Sequence, residues 1–588
     1  MYRERQDFVA YLNRGLSLLN GLRIEEAVLC FEMALCLQPD CWECWVHLAS
    51  ALYSTKQLGR SVVSYRRAIR LMPCSPELNF NLGLVLNESN QQEEAIKALN
   101  EALSLNPGIS TIHYNLGQAQ RALGRHLDAE AAYRKAIRIA PHEIDAFLSL
   151  GTLLQEQNRR SEAITVYRTA DEINTRDARI HSNLGNVLKD IGSVDEAKRR
   201  HYLAVCLAPQ EGNAYINLGN TLRAGGRLEQ AVSVYRKAGH LLPRNPRVNM
   251  NIGCTLYEMG QPEAAEKSFG RAIQMEPDFA EAHWNRGLAH LLYGMFPSGW
   301  TLYEWRFKHT ELHIHKKDLP TPEWDGLSSL AGKRILLYAE QGLGDTLQFV
   351  RFALVLEAQG AKVIVEVQAP LYDFLARALN VTVIAQNDLL PEHDLHFPLM
   401  SLPKALGTNE HNIPFSRGYL KPDPTRLEKW TRILGDQRRP RVGLVVSGNP
   451  NHSNDARRSI PLEQVAAHLP AGVDYFLLQK EIRSSDINVV EHLPDALWNV
   501  GQIHDFDDTA ALCCMMDLVI SVDTSVAHLC GALGVPTWIM LPQVPDWRWL
   551  LKRASSPWYA RVRLYRQDEG ETWEAVLARI GSDVTSER

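Results

Sequence analysis

A spacing of 34 residues governs the first half of this chain. Gly falls at positions 15, 83, 117, 151, 185, 219, 253 and 287, with Ala49 in the one remaining place. Pro falls at 39, 73, 107, 141, 209, 243 and 277, with Thr175 as the exception, and Ala occupies 34, 68, 102, 136, 170, 204, 238 and 272. Small residues at fixed places in two successive helices, with Pro after the second, describe a repeating helix pair. One such pair cannot bury its apolar face alone, so neighbouring pairs must stack, and the stack is a solenoid. This half is therefore expected to be a binding scaffold, with any chemistry lying beyond it.

The period and the residue columns are those of the tetratricopeptide repeat (TPR). Repeats are expected from about residue 8 to 310: some eight full units, then a divergent ninth. In that ninth unit Gly299 takes an Ala place, Tyr303 continues the aromatic column of Phe31, Tyr65, Tyr133, Tyr167, Tyr235 and Phe269, and Arg306 breaks the Ala column. A terminal repeat must cap the stack or dock a neighbour. The aromatic run Trp300, Tyr303 and Trp305 is expected to form a docking surface, with simple capping as the alternative.

Two residues before the Gly column stand Asn13, Asn81, Asn115, Asn183, Asn217, Asn251 and Asn285. Asn is a mediocre helix former, so its recurrence needs a cause beyond propensity. Equivalent positions on successive first helices line up as a ladder, and each amide can both donate to and accept from a peptide unit. The ladder is expected to hold a protein or peptide acceptor. The alternative is a set of hydrogen bonds between repeats that fixes superhelical pitch. An asparagine ladder on 34-residue repeats resembles the superhelix of eukaryotic-type O-linked N-acetylglucosamine transferases, whose repeats feed a protein acceptor to a C-terminal glycosyltransferase.

The 588 residues exceed a single core, and 45% hydrophobic with 22% charged residues describe an ordinary globular composition. A formal net charge of -5 argues against nucleic-acid binding. No apolar run reaches bilayer length and no secretory segment is evident, so a cytoplasmic protein is expected. The ten cysteines show no disulfide framework. Cys41 and Cys44 form an isolated C-x-x-C without a second ligand pair and read as repeat packing.

Beyond a linker at 311–332 the periodicity changes to strand, Gly turn, helix and strand. A strand over 333–340 leads into Gln341-Gly342-Leu343-Gly344-Asp345, then a helix from Thr346 to Gln359 and a strand over 362–367. A second series begins at 441, with strands at 441–446, 474–478, 517–522 and 536–541. Helices are expected near 461–468, 507–516 and 524–533. Two α/β halves, 333–435 and 436–570, should leave a ligand cleft between them. A dinucleotide site is not supported. The turn lacks its third Gly, with Leu347 in that place, and Glu366 alone stands near the distance expected of a ribose ligand.

The segment E-Q-G-L-G-D-T-L-Q-F at 340–349, with D-L-V-I-S-V-D-T-S-V-A-H-L-C-G-A-L-G-V-P-T-W at 517–538, resembles glycosyltransferase family 9, the heptosyltransferase-like enzymes. That resemblance implies a GT-B domain of two Rossmann-like halves following an α-solenoid. It also implies metal-independent, inverting transfer from a nucleotide-diphospho-sugar, with no cofactor. Carried over by position, Asp345 matches the catalytic base and Gln341, Gly342 and Gly344 its loop. Arg458 matches a cation on the donor diphosphate, and Asp523, Thr524, Ser525 and His528 match the diphosphate segment, with Ser447 beside them. Ser525 replaces the commoner Gly. Gln479 and Glu481 lie where the family contacts ribose or base.

These roles agree with the chemistry required. Inverting transfer needs one carboxylate to take the acceptor proton, and Asp345 on a strand-to-helix turn suits it. Capping of the helix that follows is its alternative. Thr524 and Ser525 open a helix whose free N–H groups and dipole attract phosphate. The run Asp505-Phe506-Asp507, with Asp508, spells D-x-D but reads as acids at a helix start rather than a metal site. Trp547-Arg548-Trp549 reads as packing, with donor contact as its alternative. The expected function is sugar transfer to a protein acceptor held by the repeats. The alternatives are lipopolysaccharide-type heptosyl transfer and a non-catalytic scaffold with a degenerate transferase domain.

Overall fold

The computed structural model describes residues 2–450, 454–491, 497–499 and 503–586. The chain forms two compact units, 1–241 and 242–588.

The first unit consists of helix pairs, beginning Tyr2–Asn20 with Ile24–Leu37 and ending Gly212–Ala224 with Leu228–Leu241. The Gly column has a steric cause. A Cβ on Gly117, Gly151 or Gly219 would meet the ring of Tyr133, Tyr167 or Tyr235 at 2.4–2.6 Å. Gly is kept because the aromatic side chain of the second helix lies directly on the backbone of the first. In the sixth pair His201 replaces the aromatic residue. It is fully buried, bonded to Thr221 Oγ1 (2.8 Å) and the Ser182 carbonyl (3.1 Å), and burial lowers its pKa to about 4.

A further 34-residue column emerges from the backbone. Residues 22, 56, 90, 124, 158, 192, 226, 260 and 294 all have left-handed φ, between 57° and 82°. Each ends the first helix of a pair, and the next N–H reaches back to close the turn, as Arg23 N does to Leu18 O at 2.9 Å. Cys41 behaves as a helix start: its Sγ accepts from Cys44 N at 3.4 Å.

The second unit opens with two more pairs: Pro246–Glu258 with Pro262–Met275, and Ala280–Leu292 with the shortened Phe296–Tyr303, which runs into a 3-10 turn, Glu304–Phe307. Two parallel sheets follow. The first contains β1 (Arg334–Tyr338), β2 (Lys362–Val367), β3 (Thr382–Ala385) and β4 (Leu395–Pro398), in the order β3-β2-β1-β4. The second contains β5 (Arg441–Val445), β6 (Asp474–Leu477), β7 (Leu497–Asn499), β8 (Leu518–Val522), β9 (Thr537–Leu541) and β10 (Val562–Arg566), in the order β10-β9-β8-β5-β6-β7. Counted within its own sheet this is 6-5-4-1-2-3, the doubly wound order, whose chain reverses direction across the sheet between β5 and β8. The strands β3, β4, β7 and β10 were not expected from sequence, nor was the C-terminal helix Trp573–Ser586, which covers the second sheet with Val576, Leu577 and Ile580.

Trp300 and Tyr303 join the apolar core that continues through Leu337, Phe349, Trp547 and Trp558, and Trp300 Nε1 donates to Thr408 O at 3.0 Å. They are a docking surface. Trp305 is not part of it: its ring stacks on His283 of the same repeat, 3.9 Å between centroids. The linker lies on the first sheet, where Lys317 Nζ pairs with Glu366 Oε1 at 2.6 Å, so the acid considered for a dinucleotide's ribose is paired with a cation. No helix among the described residues is long and apolar enough to cross a membrane.

Candidate active site

The C-terminal ends of β1, β5, β6 and β8 converge on one cleft of about 900 Å³ within the second unit. This is where open parallel sheets bind ligands, because the helices that follow the strands point their N-termini there. Gly342, Gly344 and Asp345 line it from the first sheet. Ser447, Arg458, Gln479, Glu481, Asp523, Thr524, Ser525 and His528 line it from the second. Gln341 is the one expected site residue outside the lining. Its Nε2 donates to Tyr303 Oη at 2.9 Å.

The helix after β1 starts at Leu343, not Thr346. Asp345 therefore sits inside the first turn, where its Oδ2 accepts the Gly342 N–H at 2.8 Å. Its Oδ1 pairs with Arg548. The side chain keeps about 20% of its surface exposed to the cleft. Gly344 allows the two sheets' helices to meet: a Cβ there would lie 2.9 Å from His528 Cδ2 and 3.5 Å from Ser525 Cα.

On the other wall, Arg458 Nη1 donates to the carbonyl of Asp523 at 2.8 Å, which fixes the guanidinium beside the start of helix Ser525–Leu533. Its buried Nε, 3.9 Å from Asp455 Oδ1, makes no hydrogen bond among the described residues. Gly448 leaves room for this arrangement, since a Cβ there would fall 2.7 Å from Arg458 Nη2. Thr524 is the N-cap and its side chain does not cap the helix. The first N–H groups of a helix have no intrahelical partner, so they face the cleft with a positive dipole end. Gln479 accepts from Val446 N (2.9 Å) and donates to Ser447 Oγ (3.1 Å), which ties the ends of β5 and β6 together. Glu481 is exposed.

Burial and repulsion from Asp546 raise the Asp523 carboxyl to about 6, against the pull of Arg458 and Arg548. His528 is driven well below its usual value by burial and by Arg548, Arg351 and Arg458. It bonds to Tyr559 Oη (3.0 Å) and stacks on Trp549, so it is a neutral wall of the cleft.

The D-x-D acids are each engaged. Asp505 caps helix Phe506–Cys514 through Asp508 N (2.9 Å) and pairs with Arg426, Asp507 pairs with Arg377, and Asp508 accepts from Lys429 and Trp430.

Arg548 is the residue that sequence reasoning missed. Expected to be packing, it is buried, donates to Gln348 Oε1 (2.7 Å) and Asp546 Oδ1 (2.8 Å), and holds Asp345. The available signal was a charged pair, Asp546 and Arg548, embedded among Trp residues: buried charges require partners.

Family models described as tetratricopeptide or TPR repeats match residues 80–144, 120–186, 214–247 and 253–294. A relative, Protein FlbA of Caulobacter vibrioides, is 27% identical over 332 residues, covering 52% of this chain and 55% of its own length. The chain thus spans about half of that protein. Among solved structures, a tetratricopeptide repeat protein from Parabacteroides merdae is 19% identical and matches 42% of this chain and 98% of its own, with a TM-score of 0.36. MamA protein is 24% identical over 29% of this chain and 93% of its own, with a TM-score of 0.28. The N-terminal part of the chain is a TPR solenoid.

Proposed function

We propose that the second unit transfers a sugar from a nucleotide-diphospho-sugar and that the repeats present a protein or peptide acceptor to it. The observation that carries this reading is the meeting, in one cleft, of Asp345 from the first sheet with Arg458 and the Thr524–Ser525 helix start from the second. This reading takes the two sheets as the halves of a GT-B domain. In this reading the donor diphosphate lies against the helix start and Arg458, whose charge and N–H groups hold it as it leaves. Asp345 faces it from the other wall and takes the proton of the attacking hydroxyl. Arg548 orients that carboxylate, and Asp345 is the only carboxylate of the turn opposite the cradle.

A second reading also has an observation behind it. Asp345 is held by both Gly342 N and Arg548, an arrangement that serves equally in an inert, purely structural turn. The repeats would then act as a scaffold beside a degenerate domain. Thermal unfolding in the presence of a panel of nucleotide-sugars separates the two. A specific donor at 100 times its Kd raises stability by about 2.7 kcal/mol through mass action. A rise in Tm with one donor class, followed by transfer to a peptide, supports the enzyme. No rise with any nucleoside diphosphate or nucleotide-sugar supports the scaffold.

A further inference from the structure

The ninth repeat breaks the Ala column at Arg306, and the structure gives the break a purpose. In the eight preceding repeats the Ala at this place is buried and tightly packed. Arg306 is buried as completely, yet its Nη2 donates to Glu340 Oε1 (2.8 Å) and Ser401 Oγ (2.7 Å), and its Nη1 to Glu304 Oε1 (2.7 Å). Glu340 is the second residue after β1, two positions ahead of Gly342. One helical turn earlier, Tyr303 occupies the aromatic column. In other repeats that side chain bonds to residues of the repeats, as Tyr167 does to Gln155 and Tyr235 to Asn220. Tyr303 Oη instead bonds to the Gln341 side chain, at 2.9 Å from Nε2 and 3.1 Å from Oε1. Two residues of the repeat thus grip two consecutive residues of the turn that leads into Asp345.

A cap would present polar groups to water, and these are buried. An exposed ion pair from the preceding repeat, Arg457 Nη2 to Glu258 Oε2 at 2.7 Å, also reaches the short helix Asp455–Arg458. Exposed pairs contribute little, so the weight falls on the two buried contacts.

We propose that Tyr303 and Arg306 are positioning residues: the last repeat sets the geometry of the Gly turn and of the Asp345 carboxylate, so that this repeat and the cleft are mechanically coupled. Only the kinetic arm of its test rests on the glycosyl-transfer reading. Tyr303→Phe removes a single hydroxyl and leaves the packing in place. The pair Arg306→Met with Glu340→Gln removes both buried charges together, where Arg306→Met alone would strand a carboxylate. Hydrogen exchange of the 339–347 segment, measured in the full chain, should quicken about three- to tenfold in both variants, the scale of one lost hydrogen bond. Exchange elsewhere in the unit should stay unchanged. With a donor established for the wild type, kcat should fall by a similar factor while the donor KM holds. Unchanged protection of the turn in both variants overturns the proposal. So does a loss of protection spread evenly over the unit with a matching fall in Tm, which marks a contact that only stabilises. A wild type inactive with every donor removes the transfer reading, and the exchange measurement still decides the grip.

Discussion

Arg548 of the second sheet's 3-10 turn (Trp547–Trp549) donates to Asp345 of the first sheet's Gly turn, joining the two walls of the cleft through one guanidinium. The same guanidinium holds Asp546 and Gln348. A carboxylate fixed on one oxygen by a backbone N–H and on the other by arginine has a set direction, which a general base requires and a mobile surface acid lacks.

Replacing Asp345 with Asn keeps the size of the side chain and one oxygen for the Gly342 N–H, while its amide nitrogen gives up the Arg548 contact, so the turn should still form. General-base loss typically lowers rate by about 10²–10⁴. The expected outcome is a fall of that size in kcat with nucleotide-sugar affinity retained. A folded Asp345→Asn protein with wild-type turnover would refute the assignment.

Arg458→Ala and Thr524→Val should weaken free nucleoside diphosphate and nucleotide-sugar alike, because both present the same oxygens. A charge-assisted contact is worth about 1.5–3 kcal/mol, so Arg458→Ala should raise Kd by roughly ten- to a hundredfold in calorimetry. The Thr524 change should be smaller, as its hydroxyl is neutral. Normal affinity in both variants places the phosphate site elsewhere.

Asp523 makes a pH-dependent prediction. Its folded pKa, about 6, lies above the ordinary carboxylate value of 3.8, so the native state binds the proton more tightly than the unfolded chain. Stability from this group is complete near pH 4 and is lost as pH rises towards 6, by about 2–3 kcal/mol in all. Asp523→Asn should therefore match wild type in denaturant titrations at pH 4 and exceed it at pH 7. His528, held neutral in the folded chain, takes up a proton only on unfolding, and because both proteins carry it this term cancels in the comparison. An advantage for the variant that does not grow with pH contradicts the raised value.

How far the sequence could be read follows from what each feature depends on. The repeats were legible because Gly lies against a side chain of the second helix in most cycles, an aromatic ring in Gly15, Gly117, Gly151, Gly219 and Gly253, and a steric demand copied many times leaves a period. The left-handed column was not, because Leu22, Lys56, Asn90 and Asn158 share it with Gly and only the backbone makes them equivalent. Strands β1, β2, β5, β6, β8 and β9 showed as apolar runs beside recognisable turns. The four-residue β3 and β4 are too short to stand out as apolar runs, and β10 carries Arg563 and Arg566 among its five residues. Cleft residues on Gly turns and helix starts were found from local pattern. Arg548 and Arg306 were not, since their partners Asp345 and Glu340 lie 203 and 34 residues away, a separation that leaves no local pattern.

The Gly column gives a stability prediction. A Cβ on Gly219 would lie 2.4 Å from the Tyr235 ring, which the buried second helix cannot withdraw. Overpacking of this kind costs about 1–3 kcal/mol, so Gly219→Ala should lower the unfolding midpoint. Gly270, inside helix Pro262–Met275, has nothing within 4 Å of such a Cβ. Gly270→Ala should raise stability by about 0.5–1 kcal/mol through helix propensity alone. Equal effects at the two sites would remove the steric account.

The asparagine ladder can now be divided between its two readings. Asn115 and Asn285 donate to carbonyls one turn back in their own helices, Thr111 O and Glu281 O, both at 2.8 Å. Asn217 donates to Ser182 Oγ of the preceding repeat at 2.8 Å, a bond that could set pitch. Each amide keeps further capacity, because one donor does not exhaust an Asn side chain. Ser182→Ala breaks the inter-repeat bond and leaves the amide at Asn217 in place, whereas Asn183→Ala with Asn217→Ala removes two rungs. If the rungs hold acceptor backbone, the double variant should raise the acceptor KM about 30-fold, at about 1 kcal/mol per contact, and Ser182→Ala should change it little. If the ladder only sets pitch, Ser182→Ala should reproduce the effect of losing Asn217. Small-angle scattering on the same variants, showing altered solenoid dimensions with unchanged acceptor KM, would assign the ladder to pitch.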